Sequence, residues 1–288
     1  MVKPSEINAL IQLLDDDDQE VFKHVHQKLK SFGLQVIPAL EEIEISQLPP
    51  VTHERLEEII RQIYYESLMD DWKAYLQSDY NDLTMGFLLI SRYYYPALKA
   101  NDIEKKINKI KQSIWLELNH NQTPLEQIQI FNQIFFSHLE FQCVQTSADI
   151  KDYCLNEILE NKKGSAIAIG ILYQVVAHDL TIPVYGVNLT RHFALSFCKR
   201  AILDFSQQEN LEKEVMFYIN PVNKGNIFSR NEIKDYLDKL KIEHQLQYFT
   251  PADNRSILKE LLNYHIEIAQ HQQDSNTVNE LSYLLQLL

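Results

Sequence analysis

Glycine and proline are scarce in this chain, 6 and 9 among 288 residues, which suits a helix-rich protein with few long loops. Cysteine is scarcer still. Cys143, Cys154 and Cys198 form an odd set without metal-ligand spacing, so neither a disulfide framework nor a zinc site is implied. No apolar run reaches the roughly 18 residues needed to cross a bilayer. The opening MVKPSEINALIQLLDDDD meets four aspartates before it could act as a signal-peptide core. Positive charge is also short: 27 Lys and Arg stand against 40 Asp and Glu, for a net charge of -13. A nucleic acid or an anionic membrane would need a clustered positive surface, and no such run exists. The expectation is a reduced, cytoplasmic protein with no cofactor, no metal, no membrane and no nucleic-acid partner.

Hydrophobic residues make up 45% of the chain and charged residues 23%, ordinary values for a globular protein with length enough to bury a core. INALIQLL has helical spacing, DDDD breaks it, and VFKHVHQKLKSFG begins a second amphipathic helix with Gly33 as its expected C-cap. VIPALEEI follows as a third short helix, and the pattern resembles one HEAT-type unit. The Asp15 to Asp18 run reads as a solvated turn that caps a helix N-terminus, in preference to a cation site.

After Pro49-Pro50 the periodicity of THERLEEIIRQIYYESLMDDWKAYL predicts one long helix. The aromatic cluster Tyr93-Tyr94-Tyr95 has no basic groove beside it and reads as a buried helix end, not a base-stacking surface. Thr123-Pro124-Leu125-Glu126 is a helix start with a capping box. Strand signals gather between Ile182 and Phe228 in four segments, IPVYGVNL, HFALSF, AILDF and MFYIN. Helices return in NEIKDYLDKLKI, NRSILKELLNYHIEIAQ and VNELSYLLQLL. Many helices, a compact antiparallel group, then helices again define an α+β class.

One block carries the pattern of cysteine acyl-transfer chemistry. Such enzymes need a thiolate, a base beside it and a group that orients the base, with the thiol at a helix N-terminus where its pKa is lowered. The Gly164 turn and the helix SAIAIGILYQVVAHDL supply that frame, His192 begins a strand, and Asn220 lies near the end of a later one. Asn156, Gly164, Ile182-Pro183, His192-Phe193 and Asn220-Pro221-Val222-Asn223 follow in order. In this register the block from Tyr153 to Asn226 resembles the transglutaminase-like superfamily, in particular a bacterial branch typified by the invasion-gene-regulator protein of enteric bacteria. The resemblance extends over roughly residues 80 to 288. The HEAT-like helical region at 1–78 lies outside it, and the resemblance implies a papain/transglutaminase-like core at 79–245 and a C-terminal helical hairpin at 246–288, a TPR-like remnant.

The same resemblance assigns the nucleophile to the second position after the glycine, which is Ala166, and an aspartate to the position of Asn220. Only His192 keeps its expected identity, and the branch commonly lacks the cysteine. Substitutes are few. Cys198 lies six positions past His192 on one strand, about 20 Å away. Ser165 adjoins the nucleophile position but reads first as the helix N-cap. Gly164, Ser165, Ala166, His192, Asn220 and Asn223 are therefore the candidate cleft. Ala194, Ser196 and Cys198 share the His192 face and are small, leaving room for a packed helix or a bound group. The expected function is a non-catalytic protein-binding or regulatory module with a protein partner. The competitor is a peptidase- or amidase-like hydrolase using Ser165, or a water activated by His192 with Asn220 as orienter.

Overall fold

The computed structural model describes residues 4–16, 18–43, 49–78, 82–119, 121–144, 148–189, 192–206 and 208–288. By its contacts the chain divides into two compact units, Met1–Ala74 and Tyr75–Leu288.

In the first unit α1 (Pro4–Gln12), α2 (Gln19–Ser31), α3 (Ile37–Glu41) and α4 (Pro50–Gln77) follow one another, α4 running on past the boundary. Leu14, Leu29, Val36, Leu40, Leu56 and Ile59 form its dry centre. The acidic turn is used internally. Asp18 caps α2 by accepting from the Glu20 N–H, and Asp15 accepts from the Thr52 hydroxyl. Asp17 lies outside the described residues. Phe32 takes the C-cap position of α2, and Gly33 follows it at φ +57°, a left-handed conformation suited to glycine.

The second unit opens with α5 (Leu83–Arg92), α6 (Ala100–Trp115) and α7 (Pro124–Asn132), the last with the expected capping box between Thr123 and Glu126. One π-helical segment, Gln133–His138, extends α7. Then come β1 (Gln142–Cys143), α8 (Leu155–Asn161), β2 (Lys163–Gly164), α9 (Ala166–Asp179), β3 (Val184–Leu189) and β4 (His192–Cys198). The chain continues through α10 (Gln208–Glu214), β5 (Val215–Asn220), β6 (Asn226–Phe228), α11 (Arg230–Leu240), α12 (Asn254–His271) and α13 (Ser275–Leu287). Strands β3-β4-β5-β6 form one antiparallel sheet in that order, and β1 and β2 make a separate parallel pair. The α+β class stands. Among the described residues no helix is long and apolar enough to cross a membrane.

One strand differs from expectation. Residues 201–205 (AILDF) do not pair in the sheet, and Leu203 is 97% exposed. The fourth strand is β6 instead, three residues long and too short to show an alternating pattern. Its place is made by the turn at 220–225, where Gly225 adopts φ +77° and its N–H donates to the Asn220 carbonyl at 2.9 Å.

Helix α9 is buried on almost every side, from Ile167 to Ala177, so it is the axis of the unit and not a surface helix. It lies on the sheet face that carries Phe193. The Phe193 ring fills the space left by Gly170 on α9 and Gly186 on β3; a Cβ at Gly186 would stand 2.6 Å from Phe193 Cζ. Buried Gln174 ties these layers: its Oε1 accepts from the Gly186 N–H at 2.7 Å, and its Nε2 donates to Asn254 Oδ1. The opposite sheet face is covered by α11 and Phe249, where Val187, Ala194, Tyr218, Ile233 and Leu237 form a second core. The small residues beside His192 therefore accommodate a packed helix.

Candidate functional site

The start of α9 is clamped by its neighbours. Lys162 closes α8 in the left-handed conformation, and the chain then pairs through Gly164 with Cys143. A side chain at Gly164 would meet Ile158 Cγ1 at 2.7 Å and the Asp152 carbonyl at 3.0 Å. The Ser165 N–H donates to that same carbonyl at 2.7 Å, while its Oγ accepts from the Ala168 N–H at 3.4 Å. Ser165 is thus a buried N-cap, satisfying one of the helix's first donors. Ala166, the first helical residue, is half-buried.

His192 opens β4 on the other side of the sheet. Register fixes this: Ala194 pairs with Val187, and both belong to the core under α11. Period-2 alternation puts His192 on that face and Phe193 on the face of α9. The exposed His192 ring meets Tyr236 of α11 edge-on, with centroids 5.3 Å apart. No described residue hydrogen-bonds the imidazole.

The structure brings His192 and Asn220 together on one cavity of about 320 Å³ between the sheet and α11. Glu232 and Tyr236 contribute its polar wall, and Leu189, Ala194, Phe228 and Ile233 its apolar one. Gly164, Ser165 and Ala166 do not line it. Nor does Asn223, which borders a second cavity of about 410 Å³ with Asn132, Gln129 and Lys224. Asn220 is occupied by its own turn: Oδ1 accepts from the N–H groups of Val222 and Asn223 at 3.0 and 3.3 Å. Glu232 forms a capping box with Ser229, and the bonds from the Ser229 N–H and hydroxyl hold its carboxyl below the usual range. It therefore carries negative charge into the cavity at neutral pH.

Thiol chemistry has little support elsewhere in the chain. Burial pushes Cys143 and Cys198 up to about 12, and burial with the charge of Glu157 pushes Cys154 up as well. All three are protonated at neutral pH and poor nucleophiles. Among the described residues no cluster of His, Cys, Asp and Glu could hold a metal ion.

Sequence reading missed Tyr236 and Glu232, although their i, i+4 spacing on NEIKDYLDKLKI puts them on one helical face. It also missed Asn132 and Tyr173, for which no local signal exists. The Tyr173 hydroxyl donates to Asn132 Oδ1 at 2.9 Å, and Asn132 Nδ2 donates to the Gly225 carbonyl at 2.7 Å. The turn that carries Asn220 is fastened to α9 in this way. The π-helical segment begins directly after Asn132.

A buried helix with a capped N-terminus packed on a small antiparallel sheet, with helices on both faces, is the architecture of a transglutaminase-like domain. The family model of the transglutaminase-like superfamily matches residues 101–263, more than half of the chain, and the chain belongs to that superfamily. A UPF0162 protein from Vibrio cholerae serotype O1 is 22% identical over 188 residues, covering 62% of this chain and 63% of that protein. F-box only protein 21 from Mus musculus and from Homo sapiens is 22% identical over 191 residues, covering 57% of this chain and 30% of theirs. The chain thus spans less than two thirds of the length of each of these relatives. No solved structure matches it.

Proposed function

We propose that this is a non-catalytic member of the superfamily, a binding or regulatory module that engages a protein partner at the cavity lined by His192 and Asn220. The observation that carries the reading is the orientation of β4: Phe193, not His192, faces the helix that starts at Ala166. A nucleophile–base pair needs hydrogen-bond reach. Here the nucleophile position has a methyl group and the imidazole lies across the sheet. Ser165 is an unconvincing substitute, because its hydroxyl is buried and engaged as a cap. An apolar-walled cavity with a few polar groups on its rim suits recognition of a side chain. The match to part of the longer F-box only protein 21 fits a module that works joined to other segments. The helices of residues 1–78 and the hairpin of residues 246–288 would each offer a further interaction surface.

The test is a thiol titration. Ala166→Cys, with and without His192→Ala, is alkylated across pH. The helix N-terminus alone lowers the thiol pKa, so the informative quantity is the difference between the two variants. Equal pKa values support the reading; a His192-dependent drop of about one unit or more would bring the imidazole within reach of position 166 and overturn the orientation of β4 on which the reading rests.

A further inference from the structure

The two edges of the main sheet are treated differently. At β3 the edge is closed at its centre: the Gly186 N–H donates to Gln174, and its carbonyl accepts from the Ala252 N–H at 2.8 Å. At β6 it is open. The Asn220 carbonyl accepts from Gly225, so Asn220 and, by alternation, Tyr218 turn their backbone groups toward β6. Their register partners Asn226 and Phe228 face inward, leaving the N–H and C=O of Ile227 directed outward. Neither group bonds any described residue, and Ile227 is partly exposed.

A cavity lies on each side of this edge. Phe228 borders the His192 cavity and Ile227 the Asn132–Lys224 cavity, which is walled by α7, while Asn226 at the start of the strand borders both. The two differ in chemistry. The first has apolar walls and the ionised Glu232, which repels an acidic side chain. The second has the amides of Gln129, Asn132 and Asn223 and the ammonium of Lys224, with no carboxylate. Successive side chains of a strand point to opposite faces, so a strand laid beside β6 would offer its residues to the two cavities in turn.

We propose that β6 accepts an extended segment of a partner protein as a fifth, antiparallel strand. The segment places an acidic residue toward Lys224 and apolar residues, one on either side of it, in the His192 cavity. This rests on the non-catalytic binding reading and specifies its partner. Backbone bonds to Ile227 supply part of the affinity, and the paired cavities supply the selectivity. With a single outward N–H and C=O on a three-residue strand, binding by an isolated peptide is weak.

The probe is a capped pentapeptide, threonine–valine–glutamate–valine–threonine, titrated into the full chain while the Ile227, His192 and Tyr236 amides are followed by NMR. Saturable shifts at Ile227 are expected. N-methylation of the glutamate nitrogen, which removes the donor to the Ile227 carbonyl, should weaken binding about tenfold or more. Lys224→Glu should do the same. Ile227→Pro removes the outward N–H at an edge position that tolerates proline, and it too should lose binding. No response at Ile227 with millimolar peptide overturns the proposal. Shifts at His192 and Tyr236 that are indifferent to N-methylation and to Ile227→Pro also overturn strand addition, while leaving the cavity a binding site. A His192-dependent thiol in Ala166→Cys would instead remove the underlying reading.

Discussion

The side-chain amide of Asn132 donates to the carbonyl of Gly225 at 2.7 Å across 93 positions of sequence. With Tyr173 on its other side, this amide fastens the β5–β6 turn to the central helix. Asn132→Ala would orphan the buried Tyr173 hydroxyl and the Gly225 carbonyl, at a cost of about 2–3 kcal/mol. The expected result in urea denaturation is a loss of that size and faster hydrogen exchange in residues 220–226. Adding Tyr173→Phe should cost less in the Asn132→Ala background than in the native one. Additivity of the two would refute the linkage.

Gly170→Ala decides between two opposed effects. In an exposed helix the change stabilises by about 1 kcal/mol. Here the new methyl meets the Phe193 ring, and overpacking of this kind costs about 1–3 kcal/mol. A lower melting temperature is expected, partly restored by Phe193→Leu. A rise in melting temperature would mean that Phe193 does not occupy the gap between α9 and β3.

His265 is fully buried, stacked on Tyr94 and edge-on to Tyr153, and desolvation depresses its pKa from 6.5 to about 3. The unfolded chain therefore binds the proton first. The associated stability is fully present above pH 6.5 and is lost as pH falls toward 3. The slope in that window is up to about 1.4 kcal/mol per pH unit. His265→Phe keeps the aromatic packing and should flatten the acid limb of the stability curve. An unchanged slope would show that solvent reaches the ring in the folded protein.

Ser165→Ala should cost about 1 kcal/mol by removing the α9 cap. Because Ala166 follows and His192 faces away, the variant should otherwise behave as the parent. Any measurable hydrolysis in the parent that disappears in Ser165→Ala would reverse the functional reading.

The three cysteines should resist alkylation at pH 8 in the folded protein and react rapidly after denaturation, because burial raises each thiol. Mass spectrometry after timed labelling distinguishes them. Fast modification of any one in the native state would identify a thiol poised as no other feature suggests.

Much of the fold is legible in local sequence. The capping box at Thr123, the long helix after Pro50 and the buried helix after Gly164 are local devices, and local rules read them. The strand proposed at residues 201–205 failed because a short mixed run carries too little periodicity to separate a strand from a loop. Three-residue β6 escaped notice for the same reason. Alternation along HFALSF correctly separated His192, Ala194 and Ser196 from Phe193, Leu195 and Phe197.

What alternation could not tell is which face meets α9. Sequence by itself determined the main helices, the three longer strands, their order and the alanine at position 166, since these depend on residue identity and on spacing within a few turns. Tertiary structure alone decided that Phe193 fills the gap at Gly170, that Asn132 reaches Gly225 and that His192 shares a cavity with Asn220 and Tyr236. Those are contacts between segments far apart in the chain. They are set by which apolar face has a complementary surface to pack against, and no window of sequence contains both partners.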